Sequence, residues 1–216
     1  SEFWKKYDAG EFGKPAVASA KLFMHDPAFQ PWVKATQALP AEQQIEAVRK
    51  KLMELNPGFD GILRSGDGKT SVPNIVNGVV TSIGFLTQDV SDISPLRALS
   101  DLKVIGCIGN ILGKGILSDL SPLRGLSLTS MYCDATQVSD LSPLKGMPLI
   151  ALSCNNTLVS DLSPIQEMKL IRLKCRYTSV FDLSMIEKMT TLESLEVNGS
   201  KVSPTSIAAI QKALPN

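Results

Sequence analysis

Four cysteines are the residues whose spacing first suggests chemistry, because thiolates are nucleophiles and soft metal ligands. Cys107, Cys133, Cys154 and Cys175 each close the phrase L-x-x-L-x-C, in Leu102-Ile105-Cys107, Leu128-Met131-Cys133, Leu149-Leu152-Cys154 and Leu170-Leu173-Cys175. A zinc site wants converging ligands at short spacings such as C-x-x-C. These cysteines are 26, 21 and 21 residues apart, which strings them into a column instead of a cage. The expectation is four small buried hydrophobes carrying weak thiol donors, with no metal and no cofactor. Unpaired thiols lean toward a reducing, cytoplasmic compartment.

Asp92, Asp119, Asp140, Asp161 and Asp182 form a second column. Calcium binds several oxygens at once, but the glycine-rich nonapeptide that builds repeated calcium sites is absent. An aspartate just before a tight turn accepts backbone amide hydrogen bonds, and that is the role expected here. The single histidine, His25, lies outside these columns, and nothing in the sequence brings it to a serine and an acid. "SGDGKT" at residues 65–70 lacks the G-x-x-x-x-G-K-[ST] spacing of a phosphate loop and reads as a turn. No catalytic residue set emerges, and an enzyme is not expected.

The elements that hold these columns follow from a period. "VSDLSPLKGMPLIALSC" at 138–154 returns as "VSDLSPIQEMKLIRLKC" at 159–175. The frame also accepts Val80-Ile83-Phe85 upstream and Leu192-Leu195-Val197 downstream, giving six units at intervals of 22, 26, 21, 21 and 22. A period near 20 residues marks a stacked repeat architecture. On these residues the chain resembles the leucine-rich repeats, and V-x-D-L-x-P-L is similar to the internalin-like class of short repeats. The wording "DLSPLKGMPL" with a Cys also looks like arrays in bacterial multidomain proteins, some of them kinase-linked. The resemblance covers residues 79–216 and implies an α/β solenoid: a curved stack with a parallel β-sheet on the concave face. It places the cysteines where many such repeats carry an inward Asn or Cys.

Physical reasoning on the residues agrees. In Leu-x-x-Leu-x-Cys, alternation turns Leu and Cys to one side of a short strand. Val138, Leu141, Leu144 and Met147 recur every three residues, as the inner face of a 3₁₀-like convex side requires. Ser94-Pro95, Ser121-Pro122, Ser142-Pro143 and Ser163-Pro164 open those turns, the serine as cap and the proline at the first helical position. "CIGNILGKGILSDL", from Cys107 in the second unit, carries about five extra residues and reads as a loop across 108–119.

A solenoid needs covered ends. Ile45, Val48, Leu52 and Leu55 share a helical face that stops at Asn56-Pro57-Gly58, and a shorter helix is expected over 29–39 with Trp32 and Val33 inward. Asn77-Gly78 signals a hairpin. The expected divisions are an arm at 1–26, a helical and hairpin cap at 27–78, and the array at 79–216, ending in a helix with Ile207, Ile210 and Leu214. The opening Ser1-Glu2-Phe3 looks like a cloning scar, so the sequence reads as an excised fragment. The arm's aromatics, Phe3, Trp4, Tyr7, Phe12 and Phe23, need a surface, either on the same chain or on a second copy in a homodimer formed through residues 1–26.

With a formal charge of +1, the composition gives no pull toward nucleic acid, and no apolar run approaches the roughly 18 residues of a membrane span. What remains is surface. The outward strand positions are mostly small in the first four coils, predicting a flat, open face. In the fifth coil they become Arg172 and Lys174, followed by Arg176 and Tyr177. Arg and Tyr are favoured in binding hot spots. A protein or peptide partner is expected across Tyr132, Arg172, Lys174, Arg176 and Tyr177, with the loop after Cys107 as a neighbouring candidate. A structural or assembly element, and a regulatory segment of a kinase-containing protein, are the alternatives.

Overall fold

A computed structural model describes residues 23–110, 115–203 and 205. Seven short strands lie side by side in sequence order: β1 (Asn74–Val76), β2 (Val79–Leu86), β3 (Val104–Ile108), β4 (Ser130–Tyr132), β5 (Ala151–Ser153), β6 (Arg172–Lys174) and β7 (Ser194–Glu196). The first pair is an antiparallel hairpin and every later pair is parallel. The hairpin turns at Asn77 and Gly78, both with positive φ (50° and 78°), the combination that a two-residue turn needs to follow the strand twist.

Opposite the sheet, one 3₁₀ turn per coil runs through Ser94–Ala98, Ser121–Leu123, Ser142–Leu144, Ser163–Ile165 and Ser184–Lys188. Between the two sides, Val138, Leu141, Leu144 and Met147 are buried with Leu149, Leu152 and Cys154, and the neighbouring coils repeat the arrangement. Each coil leaves an apolar edge that only the next coil covers, so stability is mostly a sum of neighbour interfaces. Removing most of a fully buried leucine such as Leu152 costs about 2–5 kcal/mol.

The caps of the 3₁₀ turns differ from the sequence expectation. The serines make no side-chain cap; the aspartate two residues earlier does. Asp92, Asp119, Asp140, Asp161 and Asp182 accept the amides of Ser94, Ser121, Ser142, Ser163 and Ser184 at 2.6–2.8 Å. A carboxylate two residues upstream reaches a free amide in an Asx turn, and Ser142 and Ser163 turn their hydroxyls back to donate to that same aspartate. The aspartate column is therefore capping, as expected, and the serines are its partners.

Helices α1 (Phe29–Gln37) and α2 (Ala41–Leu55) cover the first coil. Val48 and Leu52 are fully buried, while Ile45 and Leu55 reach the margin of the core. Phe23 sits edge-on to Phe29 and Trp32, with ring centroids 5.3 and 5.7 Å away. Its amide donates to the second oxygen of Asp92 at 2.6 Å. This part of the aromatic arm thus docks on its own chain; the arm's residues 1–22, the loop at 111–114 and the expected C-terminal helix at 207–214 lie outside the described residues.

Candidate functional site

The sheet face turned away from the core carries two rows of side chains, set by strand register. One row runs Ser82, Val104, Ser130, Ala151, Arg172, Ser194; the other runs Gly84, Gly106, Tyr132, Ser153, Lys174, Glu196. The first two coils are not the open surface expected from their small residues. Arg64 bridges antiparallel to Gly84 at the sheet edge, and the chain then climbs onto the face. The Gly66 amide donates to Ser82 Oγ at 2.8 Å. A methyl group on Gly84 would lie 2.7 Å from the Ser65 carbonyl oxygen, and one on Gly106 would collide with the Gly66 carbonyl. These positions are small because backbone lies directly on them.

The turn at 65–70 closes with Ser65 and Thr70 exchanging three bonds: Ser65 N to Thr70 O, Thr70 N to Ser65 Oγ, and Ser65 Oγ to Thr70 O. It is a turn, as the spacing indicated. The part of the face free of the 65–70 turn consequently begins at β4, where Ser130 and Tyr132 are half-buried and Ala151 and Ser153 beside them are buried, and Arg172, Lys174 and Glu196 bound it at the far end.

At that end the structure brings Lys174, Arg176 and Glu196 together. Lys174 Nζ lies 2.7 Å from Glu196 Oε1, and Arg176 Nη1 lies 3.6 Å from Glu196 Oε2. The hydrogen bond from Lys174, reinforced by both positive charges, holds the Glu196 carboxyl below its ordinary range. Arg172 is exposed and forms no ion pair among the described residues. Tyr132 stands apart from this cluster, separated from Lys174 by Ser153 in the same row.

Tyr177 lies past the strand, at the corner where each coil turns. Ala135, Asn156, Tyr177 and Gly199 occupy equivalent corners with φ of 55°, 54°, 54° and 76°. A left-handed conformation is unfavourable for a bulky residue. The Tyr177 ring lies against Gly199, where no side chain would fit, and the Arg176 guanidinium is 5.7 Å from the ring centroid, within cation–π range.

Sequence reasoning missed the polar ladder under this patch. Asp134 Oδ1 accepts Ser153 Oγ at 2.6 Å and the Asn155 amide at 2.7 Å; Asn155 Oδ1 accepts the Arg176 amide at 2.8 Å. The ladder occupies the position after the last three cysteines, where Asp134, Asn155 and Arg176 recur at 21-residue intervals. Burial pushes the Asp134 carboxyl up, against the pull of its hydrogen bonds and of Lys174. A further missed column is Thr136, Thr157 and Thr178, each buried and donating at 2.7–2.8 Å to the carbonyl of the cysteine three residues before.

All four cysteines are fully buried and unpaired, and burial raises each thiol well above its ordinary value. Among the described residues, no group of His, Cys, Asp and Glu converges as metal ligands would, and no helix is long and apolar enough to cross a membrane.

No protein-family model matches the sequence, and no curated protein matches it either. Solved structures do. An internalin (inlF) from Listeria monocytogenes superposes with a TM-score of 0.52 at 21% identity, over 60% of this chain and 38% of that one. The fold is an internalin-like leucine-rich-repeat solenoid. Internalin C2 from the same organism aligns over 85% of this chain and 88% of its own, at 22% identity and a TM-score of 0.48. The chain spans less than two thirds of the first of these internalins. The likeness is one of architecture, which in this chain consists of parallel strands on one side and 3₁₀ turns on the other.

Proposed function

We propose that this leucine-rich-repeat chain is a non-catalytic interaction module that binds a protein or peptide segment on its sheet face. The carrying observation is the change in character along that face. Its first two coils are closed by the 65–70 turn, its middle is small-residue floor, and its last coils gather Arg172, Lys174, Arg176 and Tyr177. Surface specificity on a repeat scaffold resides in a few side chains, and Arg and Tyr supply contact area with directional donors. Tyr132 extends the reach of the patch across Ser153.

A peptide-display library selected on the immobilised protein tests the reading. Selected peptides are expected to lose at least ten-fold in affinity to an Arg172→Glu/Lys174→Glu variant whose melting temperature stays within a few degrees of the parent. Peptides that bind both proteins equally remove the patch from consideration.

A further inference from the structure

The basic end of the sheet face is incompletely neutralised, and the way it falls short identifies what completes it. Three cations, Arg172, Lys174 and Arg176, lie at this end with the Glu196 carboxylate, which faces Lys174 and Arg176, and with the buried Asp134, whose charge acts on Lys174. Lys174 holds it at hydrogen-bonding distance. Arg176 does not: at 3.6 Å its Nη1 is beyond a good hydrogen bond, and its sheltered Nε has no acceptor. A guanidinium offers five donors in a planar fork suited to a carboxylate. Here the fork is steadied on the Tyr177 ring and its backbone amide is fixed by Asn155. Arg172, one strand-step from Lys174 on the same side of the sheet, stands without an ion pair among the described residues.

We infer that the partner is an acidic peptide segment whose Asp or Glu carboxylate binds Arg172, Lys174 and Arg176, and that Glu196 is an internal competitor for the same cations. The inference rests on the interaction-module reading above and specifies the chemistry of its ligand. A polyanion fits less well than isolated carboxylates. Asp134 and Glu196 lie beside Lys174, and the formal charge of the whole chain is only +1, so a continuous row of phosphates meets like charges that a single carboxylate passes between.

Glu196→Gln removes the competing charge while keeping shape and a hydrogen-bond acceptor for Lys174. Parallel peptide-display selections on the parent and on Glu196→Gln, followed by titration calorimetry of the selected peptides, decide the matter. The expected result is enrichment of Asp and Glu in both pools and affinities about 3–10-fold higher for Glu196→Gln at low ionic strength. That gain is expected to be smaller near 0.5 M salt, where the Debye length falls to about 4 Å and only the contact part of the attraction survives. Glu196→Ala, which also removes the acceptor, is expected to show the same gain, guarding against an effect peculiar to glutamine.

Peptides that lack acidic residues yet still depend on Arg172 and Lys174 overturn the acidic ligand and leave the interaction module standing. Peptides indifferent to Arg172→Glu/Lys174→Glu overturn the module itself. Unchanged or weakened binding to both Glu196 variants overturns the competitor role, and tighter binding of a 20-base-pair DNA duplex than of any selected peptide overturns the carboxylate preference.

Discussion

The side-chain amide of Asn56 donates to the main-chain carbonyl of Asp92, and its oxygen accepts the main-chain amide of Asp92, both at 2.9 Å. The same oxygen takes the Ser91 amide and the same nitrogen reaches back to the Leu52 carbonyl. One buried side chain thus ties the end of α2 to the first coil. Asn56→Ala leaves the buried Asp92 amide and carbonyl without partners, each costing about 1–3 kcal/mol, while the amide of the exposed Ser91 turns to water. The expected loss is about 2–4 kcal/mol, read as a lower urea midpoint.

A methyl or larger group on Gly106 meets the Gly66 carbonyl, so Gly106→Val is expected to lift the 65–70 turn off the sheet. Overpacking of this kind costs about 1–3 kcal/mol. Limited proteolysis should then cut within the turn, whereas Ser130→Ala, on the uncovered part of the face, changes stability by no more than about 0.5 kcal/mol. A turn that stays protected in Gly106→Val contradicts the packing described for it.

Those glycines also show what the sequence could carry and what it could not. The Leu and Cys register was legible because a stacked coil repeats one local environment six times, and period alone reveals it. The aspartate caps were legible for the same reason. Gly84 and Gly106 read as open floor because a small residue has the same appearance whether solvent or backbone lies above it; the chain that covers them comes from some 20–40 residues earlier, outside the repeat. The proximity of Glu196 to Lys174 follows from register across β6 and β7, but the unequal sharing of its carboxylate between Lys174 and Arg176 needed distances.

Asp134 gives a pH-dependent prediction. Its carboxyl is raised by burial, so the native state holds this proton more tightly than the unfolded chain, whose Asp titrates near about 3.9. Stability from this group is therefore greatest at low pH and falls as pH rises through the native value. Asp134→Asn keeps an oxygen for Ser153 Oγ and the Asn155 amide. It is expected to raise the melting temperature at pH 7 and to make no difference near pH 3. A melting temperature lowered at pH 7 but not near pH 3 shows that the charge itself is needed by the ladder.

The four buried thiols set the alkaline limit. Burial pushes Cys175 up to about 12 and holds the other three above their ordinary range, while the same thiols in an unfolded chain ionise near about 8.5. Above that pH the unfolded chain has released protons that the native state keeps, so stability declines as pH rises, by up to about 1.4 kcal/mol per pH unit for each thiol. Replacing Cys175 with Ala leaves a small cavity, lowering stability at pH 7, but it removes one such thiol. The slope of unfolding free energy between pH 9 and 10.5 is then expected to be shallower than the parent's by about that amount, since lysines and tyrosines titrate alike in both proteins. In the native state an aromatic disulfide reagent should label none of the four thiols at pH 8 and all four after denaturation. Rapid native labelling of Cys133 or Cys154 is incompatible with the closed stack, because either sulfur is reachable only when two coils separate.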